Sequence, residues 1–103
     1  MGSATEEAIL ASSFVNRRAD LLAAEVDGEV MLMGIAQGRL FGLDAMGSII
    51  WRRLAARCRV GDLCAELART YDADPATIEA DLLAFLTTLR AQGFVEVTAD
   101  EGR

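Results

Sequence analysis

From Gly38 to Trp51 the chain reads as a short apolar strand that stops at an aspartate and turns directly into a helix. Asp44 is placed to cap the first helical turn by accepting from a free backbone N–H of the residues after it. The strand before it, Arg39 to Leu43, is short and hydrophobic and follows a hairpin signal. At the edge of a sheet it would offer unpaired N–H and C=O groups to another chain.

Upstream lies Leu21–Val26, then Asp27-Gly28, then the apolar run Glu29 to Ile35. Asp-Gly between two such runs is a strong hairpin signal, because both central residues of the tight turn need positive φ. A second hairpin is expected through Gln37-Gly38, giving a three-stranded antiparallel meander. Counting from two-residue loops, Glu25 faces Val30, Ala23 faces Leu32, Leu32 faces Leu43 and Gly34 faces Phe41. One sheet face then holds Ala23, Leu32, Phe41 and Leu43, and the other Leu22, Ala24, Met31, Met33, Ile35 and Leu40. Both faces are apolar, so which one turns inward stays open. Apolar strand surface without helical cover would await a partner, and a homodimer is one candidate for it.

Three helices follow. The first is expected over Ala45 to Ala56, with Met46, Ile49, Ile50, Trp51 and Leu54 inward. The second covers Gly61 to Tyr71, with Leu63, Leu67 and Tyr71 on one face and Val60 packed as a staple before it. The third opens at Asp74-Pro75, an N-cap followed by proline at the first helical position. Its stripe is Ile78, Leu82, Phe85 and Leu89, with Leu86 beside it, and Gly93 ends it in a left-handed conformation. Phe94 to Val97 is a short closing strand. The expected architecture is α+β and winged helix-turn-helix-like: an N-terminal three-stranded meander, three α-helices and a C-terminal strand. Residues 1–13 and 99–103 read as flexible tails around a domain at 14–98.

Several function classes are disfavoured by composition. Histidine is absent from the 103 residues, which removes the commonest general base and metal ligand. Cys58 and Cys64 lie about 120° apart on a helix, so they do not share a face, and they read as reduced thiols. No catalytic triad, metal set or phosphate loop can be assembled, and neither catalytic residue nor cofactor is expected. A formal net charge of −6 opposes a nucleic-acid surface. The expected third helix carries Asp74, Glu79 and Asp81, with Asp72 just before it, and its one basic residue is Arg90. A DNA-reading winged helix is therefore the weaker alternative, and a dimerisation module without a peptide ligand is a second one. No apolar run is long enough to cross a bilayer and the N-terminus is acidic, so the expected location is cytoplasmic.

The ordered set of motifs resembles the PqqD-like family, the recognition elements of ribosomally synthesised and modified peptides. The matching residues are the apolar run Met31 to Ile35, Gly38 to Phe41, Gly42-Leu43-Asp44, Gly47 and Ile50-Trp51. Further on come Leu63, Leu67 and Tyr71, then Asp81, Leu82, Phe85, Leu86, Leu89, Gly93 and Val95. Asp44 stands where asparagine is more usual, and Leu40 where an aromatic is frequent. The resemblance implies a non-catalytic binding module. It would capture the leader of a precursor peptide as an added antiparallel strand beside the third helix and present it to a modifying enzyme. A leader protease, as in lasso-peptide maturation, or a radical enzyme, as in pyrroloquinoline quinone synthesis, would be that partner. The implied peptide-binding residues are Arg39, Leu40, Phe41, Gly42 and Leu43 on the strand, with Asp81, Leu82, Phe85, Thr88 and Leu89 on the helix. Each keeps a plainer reading: the apolar ones as core, Arg39 as an edge guard, Asp81 and Thr88 as surface.

Overall fold

Alternating apolar strands joined by an Asp-Gly turn form the meander. The computed structural model describes residues 8–35 and 38–99. The expected tails over 1–7 and 100–103, and Gln37 of the second turn, lie outside the described residues. Strand β1 is Phe14–Arg17, β2 Leu21–Val26, β3 Glu29–Gly34 and β4 Leu40–Gly42. Helix α1 (Ala45–Arg53), β5 (Cys58–Arg59), α2 (Val60–Tyr71), α3 (Pro75–Ala91) and β6 (Val95–Thr98) follow. The strands form two antiparallel sheets, ordered β2-β3-β4 and β5-β1-β6.

Asp27 (φ 54°) and Gly28 (φ 83°) make the first turn as expected, and Glu25 faces Val30 while Ala23 faces Leu32. The second hairpin differs. Its connection is longer than two residues, closed by the Gly38 N–H donating to the Gly34 carbonyl at 2.8 Å. Leu32 consequently faces Phe41, not Leu43, and Met33 faces Leu40. The slip is two residues, one full side-chain period, so the two faces keep their membership. Packing decides which is inward: Val30 and Leu32 are buried, whereas Leu22 and Leu40 are 55% and 67% exposed. Leu22, Met33 and Leu40 stand in register as an apolar row on the outer face.

At the strand-to-helix corner the Asp44 carboxylate caps α1, with Oδ1 accepting from the Gly47 N–H at 2.7 Å. A buried hydroxyl completes the corner. Ser48 Oγ accepts from the Val30 N–H at 2.9 Å and donates to the Leu43 carbonyl at 3.4 Å. It stands in for a strand partner where the chain leaves the sheet. Ser48→Ala is expected to strand the Val30 donor in the core and cost about 1–3 kcal/mol of stability. Urea unfolding checks this; an unchanged midpoint would show that the corner does not depend on the hydroxyl.

Helix α1 ends at Arg53, before the expected Ala56, because Cys58 and Arg59 pair with β1 as β5. No side chain caps α2; its first donors, the Val60 and Gly61 N–H groups, reach the Ser13 and Ala11 carbonyls at 2.9 and 2.8 Å. Residues 8–13, expected as tail, thus dock on the body, and Ile9 is buried in the core. Tyr71 is exposed rather than inward. The Asp74 carboxylate takes no backbone N–H and accepts from the Thr77 hydroxyl instead. The buried stripe of α3 is Ile78, Leu82, Leu86 and Leu89. Leu86 takes the inward place assigned to Phe85, and Gly93 (φ 83°) ends the turn as expected.

Arg17 ties the second sheet to α1. Its guanidinium lies 4.5 Å over the Trp51 ring and donates from Nη2 to the Trp51 carbonyl at 2.7 Å. Burial holds its pKa below the usual arginine value. Burial also pushes both thiols upward, helped by Asp62 beside Cys58 and Glu79 beside Cys64.

Candidate peptide-binding edge

The sequence places a strand of three residues where one side remains unpaired. β4 is an outer strand of the β2-β3-β4 sheet. Phe41 faces Leu32, and the Leu43 N–H donates to the Val30 carbonyl at 2.9 Å. In an antiparallel ladder successive residues direct their backbone groups to opposite sides. Phe41 and Leu43 therefore serve the ladder with β3, and the N–H and C=O groups of Leu40 and Gly42 point away from it. Beneath this edge the Phe41 ring packs on Phe94, centroids 5.7 Å apart.

Just past the end of β4, a cavity of about 390 Å³ opens between α1 and α3. Met46, Gly47 and Ile50 form its α1 wall, and Ile78, Leu82 and Phe85 its α3 wall, with Leu67 of α2 also contributing. Gly47 permits the close approach of the two helices: a Cβ there would lie 3.1 Å from the Phe85 ring and 3.2 Å from Asp44 Oδ1. Asp44 and Asp81 line the cavity as well, both exposed. The lining includes no basic side chain.

The residues expected at the site divide into groups. Arg39, Leu40 and Gly42 are exposed on or beside the edge, whereas Leu43 is buried. Asp81, Leu82 and Phe85 meet at the cavity. Leu89 is wholly buried and does not line it, and Thr88 is a surface residue whose hydroxyl donates to the Ala84 carbonyl. Met46, Gly47, Ile50, Leu67 and Ile78 were not expected as site residues. The spacing of the four apolar residues signalled helix core alone, Gly47 entered only as a motif position of the family resemblance, and the cavity exists only where two such faces stand apart.

The other sheet edge, β2, borders a smaller cavity of about 210 Å³ beside Arg17, Trp51 and Arg52. Arg52 reaches across it to Glu25 at 3.0 Å and to the Gly28 carbonyl at 2.8 Å. Among the described residues no three potential metal ligands cluster, and no helix is long and apolar enough to cross a membrane.

Comparison with known proteins bears on this arrangement. The family model for coenzyme PQQ synthesis protein D (PqqD) matches residues 29–95. The bifunctional coenzyme PQQ synthesis protein C/D of Methylorubrum extorquens is 37% identical over 62 residues, 60% of this chain. The match spans only 17% of that longer protein. Among solved structures, TbiB1 in complex with the TbiA(beta) leader peptide superposes with a TM-score of 0.73 at 33% identity, covering 79% of this chain and 94% of TbiB1. A lasso peptide synthetase B1 complexed with the leader peptide has the same fold, with a TM-score of 0.67 at 22% identity over 80% of this chain and 96% of that one. With an α+β body and a family match running from β3 into β6, this chain belongs to the PqqD family.

Proposed function

We propose that this protein binds the leader segment of a ribosomally synthesised precursor peptide as an extra antiparallel strand on β4 and does no chemistry of its own. The observation that carries this is the open edge of Leu40 and Gly42 ending beside an apolar cavity walled by α3. Backbone bonds to Leu40 and Gly42 would set the register with little demand on sequence. Apolar leader side chains would supply most of the affinity, at about 1.5–3 kcal/mol for each one fully buried, before ordering costs. Ordering a disordered leader offsets part of that gain, which places net binding at about −8 to −12 kcal/mol, micromolar to nanomolar. TbiB1, related at 33% identity, is itself seen with a leader peptide. Handing the bound precursor to a leader protease or a radical enzyme completes the reading.

Amide shifts test it. On titrating the labelled protein with the leader encoded beside its gene, shifts are expected to concentrate on Arg39 to Leu43 and on α3. Shifts confined to β2, or to the face opposite α3, would remove β4 as the seat. The DNA-binding alternative is opposed by carboxylates: Asp74, Glu79 and Asp81 are all exposed on or at the start of α3 and would meet phosphate with like charge.

A further inference from the structure

Resting on that reading, we infer that Asp44 and Asp81 make this site selective for a leader carrying a lysine or arginine close to its apolar anchor. The two carboxylates come from separate elements, one at the start of α1 and one on α3, and line the same otherwise apolar cavity. Among the described residues no basic side chain lines the cavity to neutralise them. Asp44 Oδ1 accepts the Gly47 N–H, which leaves Oδ2. Asp81 has no ion-pair partner among the described residues. Among the described residues, the ion pairs of Arg18, Arg52, Arg53 and Arg59 go elsewhere, to Asp20, Glu96, Glu25, Glu66 and Asp62. An uncharged guest would bring apolar surface up to two carboxylates and dehydrate them without return. A cationic guest residue would be attracted to both, on a protein whose net charge is already −6.

Strand geometry narrows where that residue lies. A guest antiparallel to β4 places its N-terminal side at the Asp44 end, so the cavity receives a side chain upstream of the paired residues. In an extended chain, positions two apart share a face. The cation belongs about two residues from the apolar anchor, on the same face. Selection thus follows charge and hydrophobicity together, in addition to the sequence-tolerant backbone pairing.

Selection from a displayed library of random twelve-residue peptides, run in parallel on the natural protein and on the Asp44→Asn/Asp81→Asn variant, tests this. Asparagine is an equally good helix N-cap, so the variant keeps the α1 start. Peptides retained by the natural protein should pair a large apolar residue with a nearby lysine or arginine, and the variant should lose the basic preference while keeping the apolar one. For an arginine-containing synthetic consensus peptide, affinity should fall about two- to tenfold in the variant, in line with solvent-exposed ion pairs. Replacing that arginine by citrulline should cost the natural protein the same factor, and the two changes together no more than one of them. Retained peptides without a basic preference, or a preference that survives both asparagines, overturn the charge selection and leave strand capture standing. If the natural protein retains no peptide at all, strand capture itself falls and the selectivity with it.

Discussion

Leu40→Pro is expected to weaken leader binding about ten- to a hundredfold, whereas Leu40→Ala changes it little. Proline removes the outward N–H of Leu40 and leaves the guest carbonyl opposite it unpaired, a loss of about 1–3 kcal/mol. Alanine keeps the donor and gives up only a side chain that is 67% exposed. The fold should survive, because that N–H makes no bond to β3 and edge strands tolerate proline on their solvent side. Phe41→Pro is the contrasting change: its N–H belongs to the ladder opposite Leu32, and the domain should lose its thermal transition. Calorimetric titration with the leader, beside melting curves of each variant, reads both quantities. Equal losses from proline and alanine at Leu40 would mean that side-chain packing, not strand pairing, holds the peptide.

The second large effect separates core from cavity on a single helix. Leu89 and Phe85 are one turn apart on α3, yet Leu89 is wholly buried while Phe85 is half-buried at the cavity and close to Gly47. Leu89→Ala should cost about 2–5 kcal/mol of folding stability, since the helix and both sheets leave the void only partly filled. For a domain of this size each 1 kcal/mol lowers the melting point by about 4–8 °C. Under conditions where the variant stays folded, its peptide affinity should be nearly unchanged. Phe85→Ala should do the reverse, with a smaller fall in melting point and about a tenfold loss of affinity, because burying one large apolar side chain is worth about 1.5–3 kcal/mol. If Leu89→Ala weakens binding as much as Phe85→Ala at equal folded fraction, the cavity is not where the guest's side chain sits.

Legibility followed the range of each interaction. Asp27-Gly28, Asp44 and Gly93 were readable because their demands are local: a positive φ or a capping oxygen needs only a few neighbouring residues. The second sheet was far less visible. β5 has two residues and β1 four, too few to show alternation, and they pair only because α1 stops early and delivers Cys58 beside Val15. The capping of α2 by Ser13 and Ala11 carbonyls left no trace in residue type, because backbone oxygens are common to every residue.

The same division runs through the candidate site. Apolar periodicity and turn chemistry, read from the residues alone, determined a short strand running into a capped helix, with an amphipathic third helix to follow. They determined as well the two side-chain sets of the sheet, which a two-residue slip leaves intact. Only the tertiary structure decided that Leu32 and Val30 face inward, that Leu86 displaces Phe85 from the core, and that Asp44 and Asp81 share one cavity. The physical reason is that periodicity assigns a residue to a face of its own element. Which face is covered, and by what, depends on how several elements fill a common volume, and residues far apart in the chain settle that together.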